Sequence, residues 1–181
     1  FLTHLHLIGE SKDKTIIRFN DYSGKGEITT FTSYTFRILG DFTQIENLTI
    51  ENDAGLVGQA VALHVEGDCC TITNCNIIGN QDTLYASGQR SRQYYKNCYI
   101  EGTTDFIFGG ATAVFDTCTI HSKRNSYITA ASTPENSDFG YVFRNCKLTA
   151  ESAVTRVYLG RPWRDYARVV FINCEMGSHI L

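Results

Sequence analysis

Apolar residues return along this chain inside a short phrase that occurs six times. The copies read Ile45-Glu46-Asn47-Leu48-Thr49-Ile50, Ile72-Thr73-Asn74-Cys75-Asn76-Ile77, Tyr95-Lys96-Asn97-Cys98-Tyr99-Ile100, Phe115-Asp116-Thr117-Cys118-Thr119-Ile120, Phe143-Arg144-Asn145-Cys146-Lys147-Leu148 and Phe171-Ile172-Asn173-Cys174-Glu175-Met176. Counted from the Leu or Cys, apolar side chains stand at −3, 0 and +2. The last two obey strand alternation and share a face. The step of three between the first two demands a bend. Five copies place Asn there, one of the few residues besides Gly that tolerates the left-handed conformation. Each phrase therefore predicts strand, bend, strand. The apolar slots are rich in β-branched and aromatic types, as strands prefer. No sustained i, i+3, i+4, i+7 stripe supports a helical repeat.

Successive marks are separated by 27, 23, 20, 28 and 28 residues. That period predicts a stacked solenoid. Its coil length and short strands point to an all-β fold, a right-handed parallel β-helix built as a single-stranded solenoid. In such a fold, residues at equal offsets from successive marks lie above one another. The 181 residues predict one domain spanning 1–181, and 15 Gly against 2 Pro suit many strands and tight turns. The chain opens inside the strand-like run Leu5-His6-Leu7-Ile8-Gly9 and stops just after the sixth phrase. Neither end reads as a cap, so the domain is expected to be truncated at both ends, without its first coils and its C-terminal segment. A formal charge of −3 gives no electrostatic case for nucleic acid. No run of 18 apolar residues predicts a membrane span.

The offset rule singles out two carboxylates. Asp82 lies seven residues after Cys75 and Asp105 seven after Cys98, each three residues past a glycine (Gly79, Gly102). Strand spacing predicts about 5 Å between them. Carboxylates that close resist joint ionisation, which leaves one protonated beside one charged partner. Turn aspartates that merely cap backbone are the competing reading, and the pattern alone does not choose. Both are followed by apolar and aromatic residues, Thr83-Leu84-Tyr85 and Phe106-Ile107-Phe108-Gly109, which suit a sugar or fill a core. Farther on, Arg161 in Tyr158-Leu159-Gly160-Arg161-Pro162-Trp163 offers a planar fork to a carboxylate. Five of the seven cysteines occupy the ladder slot, where a stack of buried thiols is the simplest reading. No C-x₂-C pair suggests zinc. Cys69 and Cys70 are vicinal and have no assigned role.

Four segments, Gln59-Ala60-Val61-Ala62-Leu63, Gln81-Asp82-Thr83-Leu84-Tyr85, Asp105-Phe106-Ile107-Phe108-Gly109 and Leu159-Gly160-Arg161-Pro162-Trp163, resemble in order the signature segments of the pectin methylesterases, or pectinesterases, a carbohydrate esterase family. The resemblance runs from Leu7-Ile8-Gly9-Glu10 to Cys174, and Tyr158–Ile180 is closer in style to bacterial members than to plant ones. It implies hydrolysis of the C6 methyl ester of galacturonate in pectin, with release of methanol. It implies Asp105 as nucleophile, Asp82 as acid/base, Gln59 and Gln81 as oxyanion donors, and Arg161 as the residue that orients Asp105. Tyr85, Phe108, Arg161 and Trp163 would bind the sugar. No cofactor and no metal are implied. The expected partner is methyl-esterified homogalacturonan, met by a monomer in a secreted, periplasmic or cell-surface setting. Three departures stand out. Gly55-Leu56-Val57-Gly58 lacks the basic residue of many plant members. The loop Ser87–Ser91 is about two residues longer than in many relatives and lies beside the groove. The family's opening coils and terminal segment, with a further Trp, are missing.

Other pectin-acting β-helices differ in their expected residues. A polygalacturonase would bring three clustered aspartates and a Gly-His-Gly segment, and neither is present. A lyase would bring an acidic calcium cluster, for which Asp82 and Asp105 alone are thin. A non-catalytic binding β-helix predicts loss of at least one of Gln59, Gln81, Asp82, Asp105 and Arg161, and all five are intact.

Overall fold

The computed structural model describes residues 2–88 and 90–181. The expected extension of the Ser87–Ser91 loop includes Gln89 and lies outside the described residues. Among the described residues twenty strands pair only in parallel and form three sheets. The first sheet runs from His6–Ile8 to Val169–Ile172, the second from Ile16–Phe19 to Glu175–Met176, and the third from Phe36–Ile38 to Tyr158–Pro162. The chain visits the sheets in turn, so each of six coils adds a strand to all three sheets and the last adds one to the first two. The pattern is the expected parallel β-helix. Among the described residues the only helix is the 3₁₀ turn Thr30–Thr32. No helix there is long and apolar enough to cross a membrane.

Each six-residue phrase ends a first-sheet strand, turns at a bend residue and the Leu or Cys that follows it, and opens a second-sheet strand. The bend residues all adopt positive φ, from 51° at Asn74 to 58° at Asn47. Asn fits because its short amide lowers the cost of the left-handed region. The amides also form a column, with Asn74 Nδ2 donating to Asn47 Oδ1 at 2.7 Å and Asn97 Nδ2 to Asn74 Oδ1 at 3.2 Å. Thr117 breaks the column yet holds φ at 54°, a strained choice for a β-branched residue.

Parallel register stacks like on like. The −3 positions Ile45, Ile72, Tyr95, Phe115, Phe143 and Phe171 pair in succession. Their rings stack face to face, with centroids 4.7 Å apart for Tyr95–Phe115, 4.5 Å for Phe115–Phe143 and 4.6 Å for Phe143–Phe171. Such pairs add about 0.5–1.5 kcal/mol each beyond burial. The thiols fill the corner beside them. Cys98 Sγ lies 3.4 Å from the carbonyls of both Ile72 and Lys96, and Cys118, Cys146 and Cys174 repeat that arrangement one coil on. A small side chain with a weak donor thus meets carbonyls at the bend. All seven cysteines are free.

Two features go beyond the six phrases. Leu7 pairs with Ile45, and Ile17 with Ile50, so a seventh copy exists. Its two strands are separated by a turn through Ser11–Thr15 instead of that short bend, which hides it from a fixed spacing. The third sheet also has no counterpart in the phrase. Its short strands Leu63–Val65, Leu84–Ala86 and Ile107–Gly109 turn Leu63, Leu84 and Ile107 into the core. The opposite face carries the register His64, Tyr85, Phe108, Ala130 and Arg161. That outward face is the floor of the candidate site.

Candidate active site

Asp82 and Asp105 occupy the corner between the second and third sheets. Each precedes by two residues a member of the pair Leu84 and Ile107, so the register sets them on neighbouring coils. Both hold the left-handed conformation, with φ 63° and 50°. Asp tolerates that region better than most residues, and unusual backbone of this kind concentrates at functional sites. Their amides are anchored to the next coil, Asp82 N–H to the Thr104 carbonyl at 3.1 Å and Asp105 N–H to that of Tyr127 at 2.8 Å. Gly102 makes the corner possible, because a Cβ there would come within 2.5 Å of the Asn80 carbonyl oxygen. Both aspartates are buried, at 4% and 7% exposure.

Arg161 reaches Asp105 from two coils away. Its Nε donates to Oδ1 at 3.0 Å and Oδ2 at 3.2 Å, and an Nη donates to Oδ2 at 2.5 Å. Ala130 stands between Phe108 and Arg161 in the register, and its small side chain leaves the arm a clear path. The guanidinium also lies over the Tyr127 ring, 5.1 Å from its centroid. Asp82 has no such cation of its own. Burial, and then the charge of Asp105, push its carboxyl up to about 7, against smaller opposing effects of Gln59 and Arg161. The two carboxyl groups therefore sit in unequal environments, one clamped by a cation and the other inclined to keep its proton.

Gln59 and Gln81 form an isolated parallel bridge on the adjacent coils, which sets their side chains at the same mouth. Thr30 Oγ1 donates to Gln59 Oε1 at 2.8 Å. That bond fixes which end of the amide is which and turns the Gln59 NH₂ into the cavity, toward the Asp82 carboxyl, whose upward shift it opposes. Phe31, beside Thr30, lies 5.3 Å from Tyr85 and 6.4 Å from Trp163, centroid to centroid. Phe108 stacks on Tyr85 at 4.5 Å and meets Trp163 at 5.8 Å. Tyr85 in turn lies 4.5 Å from the buried ring of His64, which burial holds neutral by lowering its pKa to about 4.

A cavity of about 390 Å³ collects Gln59, Gln81, Asp82, Asp105, Phe108, Arg161 and Trp163. Tyr85 lines an adjoining cavity of about 460 Å³ that shares Trp163. All eight residues singled out in the sequence thus belong to one continuous depression. Thr30 and Phe31 join them without any signal in the sequence. They lie in the 3₁₀ turn, outside the ladder, so no offset locates them. Among the described residues no group of three or more His, Cys, Asp or Glu has metal-binding geometry. The arrangement offers a carboxylate clamped by a guanidinium, a carboxyl that burial inclines to keep its proton, and amide donors at one cavity, the components of acyl transfer by covalent catalysis.

Residues 2–181 match the family model Pectinesterase. A probable pectinesterase/pectinesterase inhibitor of Arabidopsis thaliana, number 64, is 40% identical over 195 residues, covering 96% of this chain and 32% of that protein. A pectin methylesterase from carrot superposes with a TM-score of 0.92 at 33% identity, covering 99% of this chain and 59% of that one. A pectin methylesterase solved in complex with a hexasaccharide gives a TM-score of 0.91 at 32% identity, covering 98% and 65%. The chain spans less than two thirds of the length of each. With the fold, the order of the four segments and the family match in agreement, the chain belongs to the pectinesterase family.

Proposed function

We propose that this chain hydrolyses the C6 methyl esters of galacturonate in pectin, releasing methanol and leaving free carboxylates on the polymer. The observation that carries the reading is the forked contact of Arg161 with Asp105 beside Asp82, whose carboxyl burial and the charge of Asp105 push up to about 7. An Asp105 oxygen attacks the ester carbonyl carbon, and the carbonyl π pair moves onto its oxygen. The amide donors of Gln59 and Gln81 receive that oxyanion. As the tetrahedral intermediate collapses, the C–O bond to the methoxy group breaks and Asp82 gives it a proton, so methanol leaves. An acyl-enzyme remains, an anhydride between Asp105 and the galacturonate carboxyl. Asp82, now charged, takes a proton from water, and the hydroxide attacks the anhydride. Asp105 departs as a carboxylate, and both groups return to their starting states.

Arg161 serves by holding Asp105 aimed through its fork. Tyr85, Phe108 and Trp163 present ring faces to the C–H faces of the sugar. One solved relative is a pectin methylesterase in complex with a hexasaccharide, which supports a polymeric sugar in the groove. Membership of the family supports a pectin substrate and an extracellular or cell-wall setting. Half-exposed core-column residues on the last coil, Val169 and Phe171, and the greater length of the relatives support further coils stacked on this domain.

The test compares three products after incubating the full chain with highly methylated pectin. Methanol without new reducing ends or unsaturated ends is the expected result. Reducing ends would indicate a glycosidase, and unsaturated ends a lyase. Binding with none of the three products would leave a carbohydrate-binding β-helix.

A further inference from the structure

The clamp on Asp105 is a half-exposed arm that holds a buried carboxylate. The Arg161 side chain is 52% exposed and that of Asp105 10%. An arginine tip so open to water keeps much conformational freedom, which is why exposed ion pairs alone hold their members loosely. A fork also leaves one motion unrestrained. The guanidinium can swing out of the carboxylate plane about the line that joins the two groups, and the bonds weaken as it does. A contact on the flat face of the guanidinium removes that motion.

The backbone beneath the arm is already fixed. Tyr127–Ala131 and Tyr158–Pro162 pair in parallel, with Tyr127 opposite Tyr158, Thr129 opposite Gly160 and Ala130 opposite Arg161. A Cβ on Gly160 would collide with Thr129 Oγ1, so the strands approach closely there. Thr129 Oγ1 also donates to the Leu159 carbonyl at 3.0 Å. What remains free is the run of side-chain torsions between the Arg161 backbone and its tip.

Tyr127 stands on the coil between Asp105 and Arg161 and meets both. Its carbonyl accepts the Asp105 N–H at 2.8 Å. Its ring faces the guanidinium, whose central carbon lies 5.1 Å from the ring centroid. The ring is held in its turn. Tyr158 stacks on it, with centroids 5.1 Å apart and planes within 24°. Tyr158 N–H donates to the Ser126 carbonyl at 3.0 Å, and Ser126 Oγ shares a hydrogen bond of 2.9 Å with Thr104 Oγ1. These contacts tie together the three coils that carry the clamp. Asp105 thus meets the guanidinium along an edge and Tyr127 meets it on a face. A planar group held at one edge and one face has a single orientation.

We propose that Tyr127 is a positioning residue for the nucleophile, a role that rests on the function proposed above and deepens it. Its ring sets the plane of the Arg161 guanidinium, and that plane sets the aim of Asp105. Tyr127 lies outside the six phrases and the four signature segments, so neither repeat nor motif marks it. Its contribution belongs to orientation, and orientation of a nucleophile is felt in the transition state more than in substrate binding.

The test measures kcat and KM for methanol release from highly methylated pectin by full-chain variants, with folding checked by thermal unfolding. Tyr127→Val removes the ring and installs a residue that suits a strand. It is expected to lower kcat about 5- to 20-fold with KM within about 2-fold. Tyr127→Phe and Tyr127→Trp keep a ring face and should hold kcat within about 3-fold of wild type. In an Arg161→Gln background the Val change should cost less than about 2-fold, because no guanidinium is left to orient. Wild-type kcat in the Val variant, an equal cost in both backgrounds, or Phe and Trp variants as slow as Val overturns the proposal. A second readout needs no activity. The Arg161 Nε–H signal in nitrogen-edited proton NMR, assigned by its loss in Arg161→Gln, should lie upfield of its position in the Val variant and exchange with water more slowly. A signal that Tyr127→Val leaves unchanged also overturns the proposal. If the Val variant does not fold, the Phe and Trp variants decide, since the larger ring of Trp should move the signal and an identical signal in both counts against the contact. If wild type releases no methanol at all, the proposed function fails, and the NMR signal alone decides whether Tyr127 orients Arg161.

Discussion

Arg161 and Asp105 are 56 residues apart in sequence and share three donor–acceptor contacts of 2.5–3.2 Å. The guanidinium comes from a strand two coils beyond the aspartate and passes over Ala130 to reach it. Arg161→Lys keeps the charge but loses the fork. It is expected to lower kcat about 10²-fold with KM changed only a few-fold, measured by steady-state methanol release, because an aimed nucleophile matters in the transition state. An equal loss carried entirely in KM would place Arg161 in substrate binding alone. Ala130→Leu fills the path of the arm and is expected to lower kcat by a comparable factor while the thermal midpoint changes little.

Asp82 predicts the alkaline limb of the pH profile. The acylation step needs its proton, and its pKa lies near 7 in the folded chain. The ratio kcat/KM is expected to fall tenfold per pH unit above about pH 7. Asp82→Asn abolishes that limb together with the activity. A wild-type profile flat to pH 9 would show that another group supplies the proton.

The same shift has a sign for stability. The folded pKa of about 7 lies above the ordinary 3.8, so the folded state binds the proton more tightly than the unfolded state does. This favours folding at low pH, and the advantage is lost as pH rises from about 4 to about 7, after which it is constant. Asp82→Asn removes the buried charge and should be more stable than wild type above pH 7. The gain is at most several kcal/mol by the conversion of about 1.4 kcal/mol per pH unit, and it should vanish near pH 3. Urea denaturation of both proteins at pH 4, 6 and 8 measures the difference. A gap that does not widen with pH contradicts the environment assigned to Asp82.

Thr30 aims Gln59. Thr30→Val keeps the shape and removes the hydroxyl that fixes the amide. With the amide free to rotate, kcat is expected to fall about 10-fold, the scale of one disordered oxyanion donor. Thr30→Ser should retain near-wild-type kcat. A loss shared by Ser and Val would mean that the Thr30 methyl group, not its hydroxyl, matters.

The ladder makes its own prediction. Thr117 is the one bend residue that is not Asn, and it holds a left-handed φ of 54°. Thr117→Asn relieves that strain and can join the amide column beside Asn97. A gain of about 1 kcal/mol is expected from thermal or urea unfolding. A loss would show that the Thr117 hydroxyl, bonded to the Asp116 carbonyl at 2.7 Å, outweighs the strain.

What can be read in the sequence follows from what repeats. Two of the three strands in each coil carry a fixed spacing, so the first two sheets, the bends and the columns are legible there. The equal offset of Asp82 and Asp105 is legible for the same reason. The third sheet is not, because strands such as Leu63–Val65 and Ile107–Gly109 are buried on both faces and show no alternation. The first coil is hidden by the turn between Leu7 and Ile17. Thr30 and Phe31 sit in a turn that occurs once, and a feature that occurs once has no register. Arg161 stands out by its residue type, but its span over Ala130 depends on a strand pairing that no spacing encodes. The family resemblance supplies roles for these residues, and the register supplies the physical reason they meet.

The central claim is that Asp105, clamped by Arg161 and paired with Asp82, forms the covalent link to the substrate. It is tested most directly by methanol release from highly methylated pectin by the full chain and by its Asp105→Asn variant, with folding of both checked by thermal unfolding. The account predicts that the folded variant loses activity at least about 10³-fold. A folded Asp105→Asn variant with wild-type methanol release would contradict it.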